Sequence, residues 1–174
     1  MQEMRGNSWL KVVWLGIISL VCVALDQITK ILCVKNIALG DSITVIPGVL
    51  DFTYIQNRGA AFGSLTGARW VFMIASVIMI VVIVCYVISN RNTMKYTAVI
   101  TLALIVGGGI GNMIDRIAWG YVIDFVDVRF LPFWKWIFNV ADSFVCVGAF
   151  LLVIIFIAEE YKNKRKNNDV TTDL

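Results

Sequence analysis

Four apolar runs, each about as long as a lipid bilayer is thick, constrain this chain more than any other feature of its 174 residues. A hydrocarbon core about 30 Å thick takes about 20 helical residues at about 1.5 Å each. Runs at 12–32, 70–89, 96–114 and 138–158 meet that length. Lipid offers no partner to an open backbone polar group, so runs of this length cross as helices. The expected fold is an all-α membrane protein, a four-transmembrane-helix bundle. A hydrophobic content of 59% and a mean hydropathy of +0.82 exceed what a soluble core requires.

Charge matters here by location. Lys and Arg number 15 and Asp and Glu 12, a net +3 that gives no basic footprint for nucleic acid. Arg5, Lys11, Arg91, Lys95, Lys162, Lys164, Arg165 and Lys166 crowd the short segments of one side, which the positive-inside bias makes cytoplasmic along with both termini. The short polar turn 90–95 makes the second and third spans antiparallel neighbours. Residues 1–158 read as one membrane-embedded domain and 159–174 as a polar cytoplasmic tail. Arg5 and Lys11 before an apolar run ending near Cys22 imitate a cleavable leader, but Val21 is bulky where a small residue is needed, so the first span is read as retained.

The two outer connections carry their own signals. Residues 43–55 have β-branched and aromatic enrichment around a Pro47-Gly48 turn, which predicts a small β-hairpin at the membrane surface. Residues 117–137 hold Trp119, Tyr121, Phe133, Trp134 and Trp136, rings suited to headgroup depth, and predict an interfacial connection. The chain has no histidine, which removes imidazole catalysis and His-ligated zinc. Cys22, Cys33, Cys85 and Cys146 show no CxxC spacing and read as packing residues, so no metal or other cofactor is expected.

Several ionisable residues lie where lipid should be. An uncompensated charge at a span's centre costs about 2.5–3.5 kcal/mol on insertion scales. Asp26 and Lys30, four apart, can pair on one helix face, either to stabilise the helix or to serve a site. The run Gly107-Gly108-Gly109-Ile110-Gly111-Asn112 allows close backbone approach and leads to Asp115 and Arg116, which share a helix side with Asn112. Asp115 and Arg116 could equally mark the outer limit of that span. Asp142 lies near the start of the fourth span, and Asn139 stands three residues before it, the spacing of a helix cap. Asp124 follows Asp115 in the second connection.

These segments together resemble the lipoprotein signal peptidase (signal peptidase II) family. The resemblance rests on Asp26-Gln27-Ile28-Thr29-Lys30, Gln56-Asn57-Arg58-Gly59-Ala60-Ala61-Phe62, Gly108 to Arg116, Val122-Ile123-Asp124-Phe125 and Phe138-Asn139-Val140-Ala141-Asp142-Ser143, in family order over nearly the whole chain. It implies an aspartic endopeptidase of the bacterial plasma membrane that removes signal peptides from diacylglyceryl-modified prolipoproteins, cutting just before the lipidated cysteine. It implies Asp124 and Asp142 as the catalytic pair, with Asn57, Gly59, Asn112, Asp115, Arg116, Asn139 and Ala141 around them and Asp26 and Lys30 in support. Membrane lipid as a partner, a monomer, and a site near the extracytoplasmic face complete the expectation. Two carboxylates held close do not both ionise cheaply, so one keeps a proton while the other activates water. A proton-coupled transporter, a scaffold glued by polar contacts and a Ser143–Lys30 protease are the other readings of the same charges.

Overall fold

The computed structural model describes residues 3–59, 69–130, 133 and 136–172, with side chains from 8 to 165 among them. Four long helices carry the bundle: α1 (Glu3–Asn36), α2 (Arg69–Asn90), α3 (Tyr96–Ala118) and α4 (Val140–Thr172). Each contains a stretch long and apolar enough to cross a bilayer. Between them lie strands β1 (Ser42–Ile46) and β2 (Leu50–Asn57), ahead of α2, and β3 (Val122–Val128) and β4 (Ile137–Phe138), ahead of α4. The helices overrun the apolar runs because lipid sets only a minimum length. Thus α1 continues to Asn36, and α4 passes position 158 without a break.

α3 is the central pillar. Over an apolar stretch of 18 residues in each helix, 61% of α3 is buried, against 22% of α1 and 11% of each of α2 and α4. The sequence explains this contrast. α2 is apolar all round and meets lipid on most sides, whereas α3 carries the glycines that let neighbours close in. A Cβ on Gly108 would collide with the backbone oxygen of Ala141, and one on Gly111 would sit 2.6 Å from Asp26 Oδ2 and 3.3 Å from Ala141 Cβ. Glycine at these two positions therefore brings α1 and α4 onto α3 at the depth where the polar residues lie. Toward the start of α3, Val99, Leu102, Ala103 and Val106 pack with Leu15 of α1 and Ile83 and Val87 of α2 in an apolar core.

The hairpin expected at 43–55 forms as β1 and β2, with Gly48 at φ 70° in its turn. It is half of a larger unit. The second connection does more than lie along the interface: β3 pairs antiparallel with β2 and β4 with β3, giving sheet order β1-β2-β3-β4. The alternation Val122-Ile123-Asp124-Phe125 accounts for the strand, since Ile123 and Phe125 join Cys33, Ile37 and Tyr54 in a second apolar cluster beneath the sheet. Asp124 then points to the other face. Ile55 stands opposite Asp124 and Asn57 opposite Val122 in the register, so the end of β2 is tied to the strand that carries this aspartate.

Candidate active site

Asp142 sits at the third position of α4 and Asn139 at its cap. Asn139 Oδ1 accepts the Asp142 N–H at 2.9 Å, and Asp142 Oδ2 accepts the Asn139 N–H at 3.2 Å. This reciprocal arrangement is a capping box, and it fixes the Asp142 carboxylate at the positive end of the helix. The other oxygen, Oδ1, accepts Asn112 Nδ2–H at 2.8 Å. The cap and the candidate site are therefore one object.

Asp124 comes to the same place from β3. Asn139 Nδ2–H donates to Asp124 Oδ1 at 2.6 Å and Asn57 Nδ2–H to Oδ2 at 2.9 Å. Asn57 is itself held by the Gly59 N–H, which donates to its Oδ1 at 3.0 Å. Asp124 is 1% exposed. Burial first, and the neighbouring Asp142 carboxylate second, push its carboxyl from the usual range up to about 7, against the opposing pull of the two amide donors. Asn139 thus contacts both aspartates, which lie close enough for one to perturb the other.

A second cluster lies directly behind. Lys30 Nζ is 2.8 Å from Asp26 Oδ2, 2.8 Å from Asp115 Oδ2 and 3.1 Å from Asn112 Oδ1. All three ionised residues are at most 1% exposed. The expected Asp26–Lys30 pair is present, with Asp115 as a third member, so Asp115 is enclosed near the end of α3. Its two carboxylates also hold backbone. Asp26 Oδ1 accepts the Ala141 N–H at 3.0 Å and Asp115 Oδ2 accepts the Ile123 N–H at 3.1 Å, each one residue before an aspartate of the first pair.

Gln27 was no candidate in the sequence, yet its Nε2 reaches Asp115 Oδ1 at 3.0 Å, and Asp26 Oδ2 and the Gly111 carbonyl at 3.2 Å. Its position next to Asp26 was the available signal. The Ser143–Lys30 arrangement is not assembled, because Ser143 Oγ donates to Asn139 O and Lys30 is spent on the three oxygens just named.

Arg116 makes no ion pair among the described residues. Its Nη1–H donates to Asn112 O at 3.2 Å and its guanidinium lies 5.5 Å from the Phe72 ring centroid. Arg116, Asn112 and Asp142 end a cleft of about 310 Å³ whose remaining walls are Phe72, Ala75, Ser76 and Met79 of α2, Gly109 of α3, and Val145 and Cys146 of α4. Of these wall residues only Gly109 lies in a run that the sequence singles out; the others look like any lipid-facing helix surface. The cysteines divide: Cys22 and Cys33 are buried as packing residues, whereas Cys85 and Cys146 are exposed. Residues 60–62 of the quoted motif, and Trp134 with Lys135, lie outside the described residues. Among the described residues, no cluster of His, Cys, Asp or Glu is suited to a metal ion.

A helical membrane bundle with a four-stranded sheet, in which asparagine amides hold two aspartates near each other, defines a multi-pass membrane protein with a candidate site of two carboxylates. The chain belongs to the signal peptidase II family, whose model, described as signal peptidase (SPase) II, matches residues 18–158. It is 40% identical over 144 residues to a lipoprotein signal peptidase of Halothermothrix orenii, covering 83% of this chain and 95% of that one. It is 45% identical over 141 residues to one of Streptococcus thermophilus, covering 81% and 90%. A solved structure of a bacterial membrane enzyme superposes with a TM-score of 0.77 at 32% identity, covering 84% of this chain and 88% of that one. The chain is accordingly a membrane-embedded peptidase.

Proposed function

We propose that this enzyme cleaves signal peptides from diacylglyceryl-modified prolipoproteins just before the lipidated cysteine, with Asp124 and Asp142 as the catalytic pair. The observation that carries the proposal is the unequal setting of the two carboxylates. Asp142 receives two N–H donors at a helix N-terminus, which favours the anion and suits it to take a proton from water. Asp124, buried and held up to about 7, keeps a proton near neutral pH with which to stabilise the oxyanion on the scissile carbonyl. As the tetrahedral intermediate collapses, a proton passes to the leaving amine and the peptide bond breaks.

The cleft suits a substrate arriving from lipid. Phe72, Met79 and Val145 give an apolar wall, while Ala75, Ser76 and Gly109 keep room beside it, and Arg116, with Asp142 at the end of the cleft, offers N–H groups to substrate carbonyl or ester oxygens. All groups invoked come from one chain, which supports a working monomer. We place the site near the extracytoplasmic face of the plasma membrane and both termini in the cytoplasm. Lys11, Arg91 and Lys95 gather at the opposite end of the bundle, where Lys11 Nζ–H donates to Arg91 O and Lys95 pairs with Glu159. We read residues 1–158 as the peptidase domain and 159–174 as a polar cytoplasmic tail, into which α4 runs as far as Thr172.

Asp124→Asn and Asp142→Asn, purified and reconstituted separately with a diacylglyceryl-modified precursor, test the pair. Each substitution lowers kcat by at least about a thousandfold while the precursor still binds. A correctly folded variant that cleaves at a near-parental rate would remove its aspartate from the mechanism.

A further inference from the structure

Three asparagines donate to the two aspartates, and each has its amide oxygen occupied by a donor that cannot change role. Asn57 Oδ1 takes the Gly59 N–H at 3.0 Å, and Asn139 Oδ1 takes the Asp142 N–H at 2.9 Å. Asn112 Oδ1 takes Lys30 Nζ–H at 3.1 Å. An amide whose oxygen is claimed in this way must turn its NH2 to the opposite side, so each Nδ2 faces a carboxylate. The first two orienting donors are backbone N–H groups, fixed by the fold. The third is a side chain, delivered from α1.

We propose that Lys30 is a positioning residue for peptide hydrolysis: buried between Asp26 and Asp115, it claims the Asn112 amide oxygen and so commits the Asn112 NH2 to the Asp142 carboxylate. This deepens the reading of Asp124 and Asp142 as the catalytic pair and rests on it. The positive charge makes the assignment one-sided. Presented with an ammonium, an amide exposes its oxygen and never its NH2, whereas a neutral apolar neighbour leaves both orientations open. Asn139 Nδ2–H also reaches Asn112 Oδ1, at 3.0 Å, but it is shared with Asp124 Oδ1 at 2.6 Å and Ile123 O at 3.3 Å, so it can leave Asn112 at little cost.

The two aspartates beside Lys30 hold the lysine rather than the substrate. Asp26 of α1 and Asp115 of α3 are each 2.8 Å from Nζ, and with Asn112 they use its three protons. Nζ thus has no proton left for direct chemistry in this arrangement: it acts on Asp142 through Asn112, and on Asp124 only as a nearby positive charge that eases its ionisation. The side chain also borders a separate cleft of about 380 Å³ with Gln27, Lys35, Tyr54 and Tyr121, on the far side of β3 from Asp124. The charged groups around the pair are then Asp124 from β3, Asp142 from α4, Arg116 and Asp115 from α3, and Lys30 and Asp26 from α1.

The test is Lys30→Met in full-length enzyme reconstituted with a diacylglyceryl-modified precursor, with kcat, KM and the pH profile of kcat read together. Loss of one committed donor is expected to lower kcat by about a hundredfold. KM stays within about twofold, because Lys30 touches no part of the cleft in which substrate lies. The acid limb of the profile moves to higher pH, since an ionised Asp142 has lost a donor. If Lys30→Met does not fold, Lys30→Met/Asp115→Asn keeps the net charge of the buried cluster and carries the same expectations.

A folded variant with parental kcat and an unmoved acid limb would overturn the proposal. So would an activity loss with an unchanged profile, which would make Lys30 a structural residue only. Asp124→Asn and Asp142→Asn serve as controls. If they remain active, the catalytic pair itself is misassigned. If they are inactive and Lys30→Met behaves as parent, only the role given to Lys30 fails.

Discussion

Two groups of buried acids lie back to back in this protein and are treated in opposite ways. Asp26 and Asp115 share a lysine at 2.8 Å each, have their remaining oxygens on backbone N–H groups and Gln27, and are closed to solvent. Asp124 and Asp142 have no ion pair among the described residues and are held by asparagine amides and the Asn139 N–H. A cation directly on these carboxylates would strongly favour the ionised state of both. Amide donors fix position with a weaker bias, and so leave room for one proton on the pair. The residue types are the same; the neighbours decide whether an aspartate fixes the fold or remains free for chemistry.

That contrast can be broken from either side. The largest effect is expected at the amide-held pair, where either Asp→Asn change removes turnover while the bundle remains folded. Next comes the closed cluster. Asp115→Ala takes from Lys30 one of its two carboxylates and leaves the Ile123 N–H without its acceptor, and should lower the unfolding free energy by about 3–5 kcal/mol, as removal of one partner from a buried ion pair does. Denaturant unfolding in detergent reads this directly; a variant as stable as the parent would mean that the cluster holds nothing together. A smaller effect belongs to the glycine between the two groups. In Gly111→Ala the added Cβ meets Asp26 Oδ2 at 2.6 Å, and overpacking of this kind should cost about 1–3 kcal/mol. The same unfolding assay checks it, and an unaltered midpoint would show that α1 can move off α3 freely.

The sequence was most legible where lipid or local geometry dictates the answer. Four spans follow from length and hydropathy, and the Asn139–Asp142 cap follows from spacing, because both are short-range consequences of the chain. The pairing of β2 with β3 was not legible: it joins segments separated by α2 and α3, and nothing in Ile117–Ile137 alone announces a partner strand. Asp115 shows the limit most clearly. From sequence it could have been a span boundary or a residue around the site, and only the convergence of Lys30, Gln27 and the Ile123 N–H reveals that its lone pairs are committed. Phe72, Met79, Val145 and Cys146 were hidden for the opposite reason, since a cleft wall within lipid has the same composition as a surface facing lipid.

The account turns on one proton retained by the pair near neutral pH, and infrared titration of the Asp124 carboxyl measures it most directly. Because its folded-state value lies above that of an unfolded chain, protonation of Asp124 favours the fold. That contribution is present in full at acid pH, below about 4, and is lost as pH rises through about 7. In the spectrum of parent minus Asp124→Asn, the account predicts a protonated-carboxyl band that persists from acid pH and loses half its amplitude near pH 7. A band already absent by about pH 5, where an ordinary aspartate is ionised, would contradict it.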